Sequence, residues 1–169
     1  MLQQSTIQTV CITGHRDIPP EHALRLPQLL EEQIGALYAR GARIFRAGGA
    51  MGFDTLAALK VLECREQLPE LELHLYLPCR DQAAKWDAVS RRAYEYVLSR
   101  ADSVDYTAEK YEQGCMLARD RKLIRGGDVC LAYCSKNKGG TFYTLSYAVR
   151  LGLELINLSE FLRRDSENG

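Results

Sequence analysis

Short apolar runs alternate with longer helix-patterned stretches along almost the whole of this 169-residue chain. The pattern predicts strands at residues 9–13, 42–47, 71–77, 103–106, 128–133 and 154–157. Helical periodicity fills the gaps at 21–40, 54–67, 82–100, 114–125 and 141–151. A strand that must return parallel to its predecessor needs a crossover, and a helix is the usual one. The chain is therefore expected to form a single α/β domain over residues 1–169. Its doubly wound, mainly parallel sheet would have about six strands and helices on both faces. The strand order is either 4-3-2-1-5-6 or 3-2-1-4-5-6, and both set the first strand beside the point where the order reverses. In the third helix Trp86, Val89, Ala93 and Val97 recur at three- and four-residue steps and are expected to face the core. The core spans about residues 9–158, and the polar stretch 159–169 reads as a frayed tail.

In open α/β sheets ligands bind outside the carboxyl ends of the strands. That rule singles out five segments, residues 14–16, 48–54, 78–81, 107–112 and 134–141. The second is Gly48-Gly49-Ala50-Met51-Gly52-Phe53-Asp54, with three glycines at a strand-to-helix junction. A backbone without Cβ atoms can come close to a ligand, and the helix that follows offers free N–H groups to a phosphate. The run is neither a dinucleotide fingerprint nor a P-loop, since it lacks the P-loop lysine. Asp54 is a candidate for a ribose hydroxyl or a base, or for the helix N-cap. The fifth segment carries Gly139-Gly140-Thr141, a second glycine-opened helix start, with Thr141 as a plausible cap. Gly14-His15-Arg16 leaves the first strand. Arg16 can clamp a phosphate through two N–H groups, and His15 is a base, a phosphate donor or a structural residue. Of Arg119, Asp120, Arg121 and Lys122, helical geometry lets one or two face such a site. Tyr111, Tyr133 and Tyr143 are candidates for stacking or packing, and His22 and His74 for packing or surface.

Charge and cysteines narrow the partners. Lys plus Arg and Asp plus Glu number 22 each. That balance argues against a protein that wraps nucleic acid by counterion release. Residues 1–6 lack the charged and apolar regions of a leader, and no apolar run is long enough to span a membrane, so a cytoplasmic location is expected. The six cysteines contain no Cys-x-x-Cys pair and read as reduced structural thiols, with Cys79 and Cys134 the two to watch for reactivity. No cluster has metal-ligand spacing, so neither metal nor cofactor is expected.

Taken in order, Thr13-Gly14-His15-Arg16, the 48–54 run, Lys85-Trp86, Met116 with Arg119, Ala132-Tyr133, Gly139-Gly140-Thr141 with Tyr147-Ala148, and Ile156-Asn157-Leu158 resemble the YpsA-type branch of the SLOG superfamily. That superfamily also groups the LOG phosphoribohydrolases and the DprA/Smf DNA-processing proteins. The resemblance implies a Rossmann-like domain that binds a nucleotide or nucleotide-derived phosphate ligand in a sensing or binding role. The site residues would be Gly14, His15, Arg16, Gly48, Gly49, Gly52, Asp54, Arg119, Gly139, Gly140 and Thr141. It also allows pairing of copies through helices. LOG enzymes carry Met-x-x-Arg-Lys and Pro-Gly-Gly-x-Gly-Thr-x-x-Glu. Here Met116 and Arg119 keep the first pattern but Asp120 stands at the lysine place. Gly140-Thr141 keep part of the second, but Phe142-Tyr143-Thr144 brings no glutamate. Hydrolysis of the LOG type is the alternative function, and single-stranded nucleic-acid binding of the DprA kind a second alternative. No catalytic residue is assigned.

Overall fold

Parallel strands covered on both faces read as continuous apolar runs, and the central strands of this chain do so. The computed structural model describes residues 6–169; the leader reading made on residues 1–6 rests almost wholly outside them. Strand and helix alternate as β1 (Thr9–Gly14), α1 (Pro20–Ala39), β2 (Ile44–Ala47), α2 (Phe53–Cys64), β3 (Glu72–Cys79), α3 (Ala88–Arg100), β4 (Ser103–Ala108), α4 (Cys115–Ile124), β5 (Val129–Tyr133), α5 (Gly140–Arg150), β6 (Glu154–Asn157) and α6 (Leu158–Glu167). All strand pairs are parallel, in the order β4-β3-β2-β1-β5-β6. This is the first of the two orders allowed by the sequence. β5 is buried along its full length and β1 along all but its last residue.

The helices divide between the faces. α1 packs on α2 and α6, and α2 on α3, while α4 packs on α5. Under the first group lies a core that includes Leu26, Leu30, Ile34, Phe45, Phe53, Val61 and Leu75; a smaller one around Cys11, Cys130, Ile124 and Ala148 lies on the α5 side. Each fully buried Leu, Ile or Phe contributes about 1.5–3 kcal/mol of transfer free energy.

Three expectations are corrected. α3 begins at Ala88 rather than residue 82. Asp87 starts it by accepting from the Ser90 amide at 2.9 Å, and Arg91 donates to the carbonyls of Ala83, Ala84 and Trp86, which holds the preceding residues in turns. The later start sets the buried face at Tyr94 and Val97, leaves Val89 68% exposed and packs Trp86 edge-on against Tyr94. The stretch after Leu158 is not frayed. It forms α6, capped by the Asn157 side chain accepting from Ser159 N at 3.2 Å, with Leu158 and Leu162 buried one turn apart. The third correction concerns helix starts. α2 and α5 are capped by Gly52 and Gly139, with no side-chain cap, so neither Asp54 nor Thr141 is an N-cap.

Candidate functional site

At the carboxyl edge the pairing of β1 and β5 continues past the strands. The His15 amide donates to the Tyr133 carbonyl at 3.1 Å, and the Ser135 amide donates to His15 Nε2 at 2.9 Å. Beside this seam, on the α4–α5 side, lies a cleft of about 330 Å³. Thr13, Gly14 and Arg16 form one wall, and Ala50, Met51 and Asp54 a second. Met116, Arg119, Asp120 and Leu123 come from α4, and Gly140, Thr141 and Thr144 from the first turn of α5.

Asp54 is the least expected group in it. The side chain is 6% exposed, Oδ2 accepts the Ala50 amide at 3.3 Å, and the Gly14 amide also faces the carboxyl. Oδ1 is buried without a hydrogen-bond partner. Burial, helped by the Asp120 charge, pushes its carboxyl up to about 7, against the pull of the nearby Arg119 charge and of the Ala50 and Gly14 amides. Arg119, also buried, directs its donors elsewhere. Nε donates to Asp120 Oδ1 at 2.7 Å, and Nη1 donates to the carbonyls of Gly48 and Tyr76. The guanidinium thus ties α4 to the end of β2 and the middle of β3, and Asp54 keeps an unanswered oxygen.

The glycines have distinct reasons. Gly52 has φ 82°, and a Cβ there would overlap the Arg16 carbonyl. A Cβ at Gly14 would enter the Phe53 ring, and one at Gly49 would strike Leu77. At Gly48 it would lie 2.9 Å from both Arg119 Nη1 and Asp54 Oδ2. These four permit segments of the protein to touch one another. Around Gly140 a Cβ would meet nothing, and this residue opens α5 at the cleft wall.

Of the eleven residues singled out from the sequence, the cleft brings together Gly14, Arg16, Asp54, Arg119, Gly140 and Thr141. Gly48, Gly49 and Gly52 stand behind its wall, and Gly139 caps α5. His15 belongs to the seam: its ring meets Tyr133 edge-on, and burial together with Lys136 lowers its pKa. Tyr133 is packed in the core on Phe53, and its hydroxyl bonds to His22 Nδ1 at 2.6 Å, so it offers no face for stacking. Tyr143 lies on the outer side of α5, bonded to Arg121, and Tyr111 is exposed. Arg119 and Asp120 face the cleft while Arg121 and Lys122 face outward. Cys79 and Cys134 are buried. The Cys79 thiol is pushed up to about 11, and the Cys134 thiol, also raised by burial, donates to the Lys136 carbonyl at 3.2 Å, so neither is poised to react. Leu123 and Thr144 are wall residues that the sequence did not single out, and Thr144 is the polar one. Its signal was its place one helical turn after Thr141. It is 1% exposed, and its hydroxyl donates to the Gly140 carbonyl at 3.0 Å.

Residues 10–153 match the YpsA family, described as the YspA SLOG family. The chain belongs to this family. Among curated proteins it is 29% identical over 118 residues to a UPF0398 protein of Halalkalibacterium halodurans, covering 69% of this chain and 62% of that one. It is 29% identical over 146 residues to a UPF0398 protein of Bacillus thuringiensis, covering 80% and 78%. Among solved structures it resembles DNA processing protein A (DprA) of Streptococcus pneumoniae, with TM-score 0.49, 13% identity, and coverage of 93% of this chain and 60% of that chain. The chain thus spans less than two thirds of the length of the Halalkalibacterium halodurans protein and of DprA. Family membership and the six-stranded parallel sheet agree with the SLOG resemblance read from the motifs. Among the described residues no helix is long and apolar enough to cross a membrane, and no three His, Cys, Asp or Glu side chains group as metal ligands.

Proposed function

We propose that the cleft between the β1 and β2 loops and the start of α5 binds a nucleotide or nucleotide-derived phosphate ligand in a cytoplasmic sensing or binding role. The observation that carries this reading is the buried, unpartnered Oδ1 of Asp54 at the cleft wall. A buried oxygen left unpaired costs about 1–3 kcal/mol, which a ligand hydroxyl would recover. A ribose hydroxyl or a base N–H is such a donor. The open backbone at Gly140-Thr141 and the positive end of α5 suit the phosphate, at about 0.3–1 kcal/mol for the dipole. Arg16, exposed at the rim, supplies the charge. Titration calorimetry with adenosine monophosphate, NAD and ADP-ribose tests it. Saturable binding lost in Arg16→Ala and Asp54→Ala supports the reading. No heat with any nucleotide at millimolar concentration overturns it.

A second reading is favoured by one observation. A carboxyl that titrates at about 7 is matched to donating a proton to a leaving group at neutral pH, and Asp120 sets another carboxylate in the same cleft. Thr144 occupies the place of the LOG glutamate, so hydrolysis would run through Asp54 instead. Release of free base from a nucleoside monophosphate, abolished in Asp54→Asn, would replace pure binding by this reading.

A further inference from the structure

The segment from Cys134 to Thr141 has two sides. One forms a wall of the cleft described above, and the other opens toward α1 and α6. There it borders a separate cavity of about 840 Å³, within the size range of small-molecule sites. Its floor is knit together by hydrogen bonds. Asn157 accepts from Cys134 N at 3.1 Å and donates to Cys134 O at 2.9 Å, and Ser159 Oγ donates to the same carbonyl at 2.7 Å. Its rim carries Lys136, Lys138 and Arg163, none of which has a carboxylate within ion-pair distance among the described residues. Glu160 is the single acid at the rim. In a chain with equal numbers of acids and bases, three unpaired cations around one concave polar floor mark a place for an anion.

We propose that this cavity is a second ligand site, for a phosphorylated small molecule of sugar-phosphate size. Lys138 and Arg163 would hold the phosphate, and Glu160 and Ser159 Oγ would accept hydroxyl groups of the polyol. The two sites share one loop and lie on opposite faces of the sheet, and the second stands whether or not the first binds nucleotides.

Titration calorimetry of the full chain with ribose 5-phosphate, with unphosphorylated ribose as control, decides the matter. Saturable binding of the phosphate ester alone is expected. The Lys138→Ala/Arg163→Ala variant should weaken it at least ~10-fold, while Lys110→Ala, an exposed cation that lines neither cavity, leaves it unchanged. All three side chains are exposed, so both variants should melt with the parent. Absence of saturable binding at millimolar ligand, or equal affinity in the double variant, overturns the proposal. Loss in Arg16→Ala but not in the double variant would move the ester to the nucleotide cleft and refute the second site.

Discussion

Asp54 offers a perturbation whose size follows from its surroundings. Its carboxyl is held at about 7 by burial, against about 4 for an exposed aspartate. The folded chain therefore holds the proton more tightly than the unfolded one. Below pH ~4 both states are protonated and the contribution to stability is whole; it is lost as pH rises toward 7. A shift of about three units corresponds to about 4 kcal/mol over the full range, of which roughly 2–3 kcal/mol falls between pH 5 and 8. Asn keeps the shape and cannot ionise. The stability of the parent relative to Asp54→Asn should thus fall by roughly 2–3 kcal/mol from pH 5 to pH 8, or about 5–10 °C in Tm for a chain of this length. Urea unfolding of both proteins at pH 5, 6, 7 and 8 measures the difference, and the histidines cancel because both carry them. Parallel profiles would refute the account, because they would mean that Asp54 ionises as readily folded as unfolded.

The two glycine classes should separate by substitution. Gly52→Ala puts a Cβ on the Arg16 carbonyl at positive φ and should cost more than about 2 kcal/mol in urea unfolding, whereas Gly140→Ala, with open space around it, should stay within about 0.5 kcal/mol. If the proposed site is right, Gly140→Ala still weakens nucleotide binding in the calorimeter. Leu162→Ala should destabilise by about 2–5 kcal/mol, since Leu162 is buried under α6, and a frayed tail would instead give no change. Cys11 and Cys130, buried and pushed up to about 12, should resist a thiol reagent at pH 8 until the chain is unfolded; rapid modification in native conditions would contradict their burial.

Strand and helix alternation was legible because short apolar runs bounded by turn residues alternate with longer stretches of helical period. β1, β5 and β6 lie where their residues predicted. Arg16, Asp54 and Gly140 were legible as cleft residues because each follows a strand at one sheet edge, and Arg119 through the spacing it shares with Met116. What stayed hidden depended on contacts distant in sequence. Gly14, Gly48, Gly49 and Gly52 resemble ligand-facing glycines, yet Phe53, Arg119, Leu77 and Arg16 occupy the space a Cβ would need. Asp54 sits at the second helical position and turns back to the Ala50 amide, a choice that local propensity for caps does not encode. The start of α3 was set by Asp87 and by Arg91 gathering carbonyls. The tail read as frayed because two leucines in a run of charges look weak until Asn157 starts a helix that buries them.

The seam between β1 and β5 has a consequence for how the molecule comes together. His15 and Ser135 bond across 120 positions of chain, and β1 meets β5 only after four strands and their crossovers have been synthesised. Closing so long a loop is entropically slow and is repaid only once the partners dock. Both clefts border this junction, so neither exists in a nascent chain that ends at β4. Ligand affinity would then report the last act of assembly, and a ligand could rescue only molecules that had already joined their two halves.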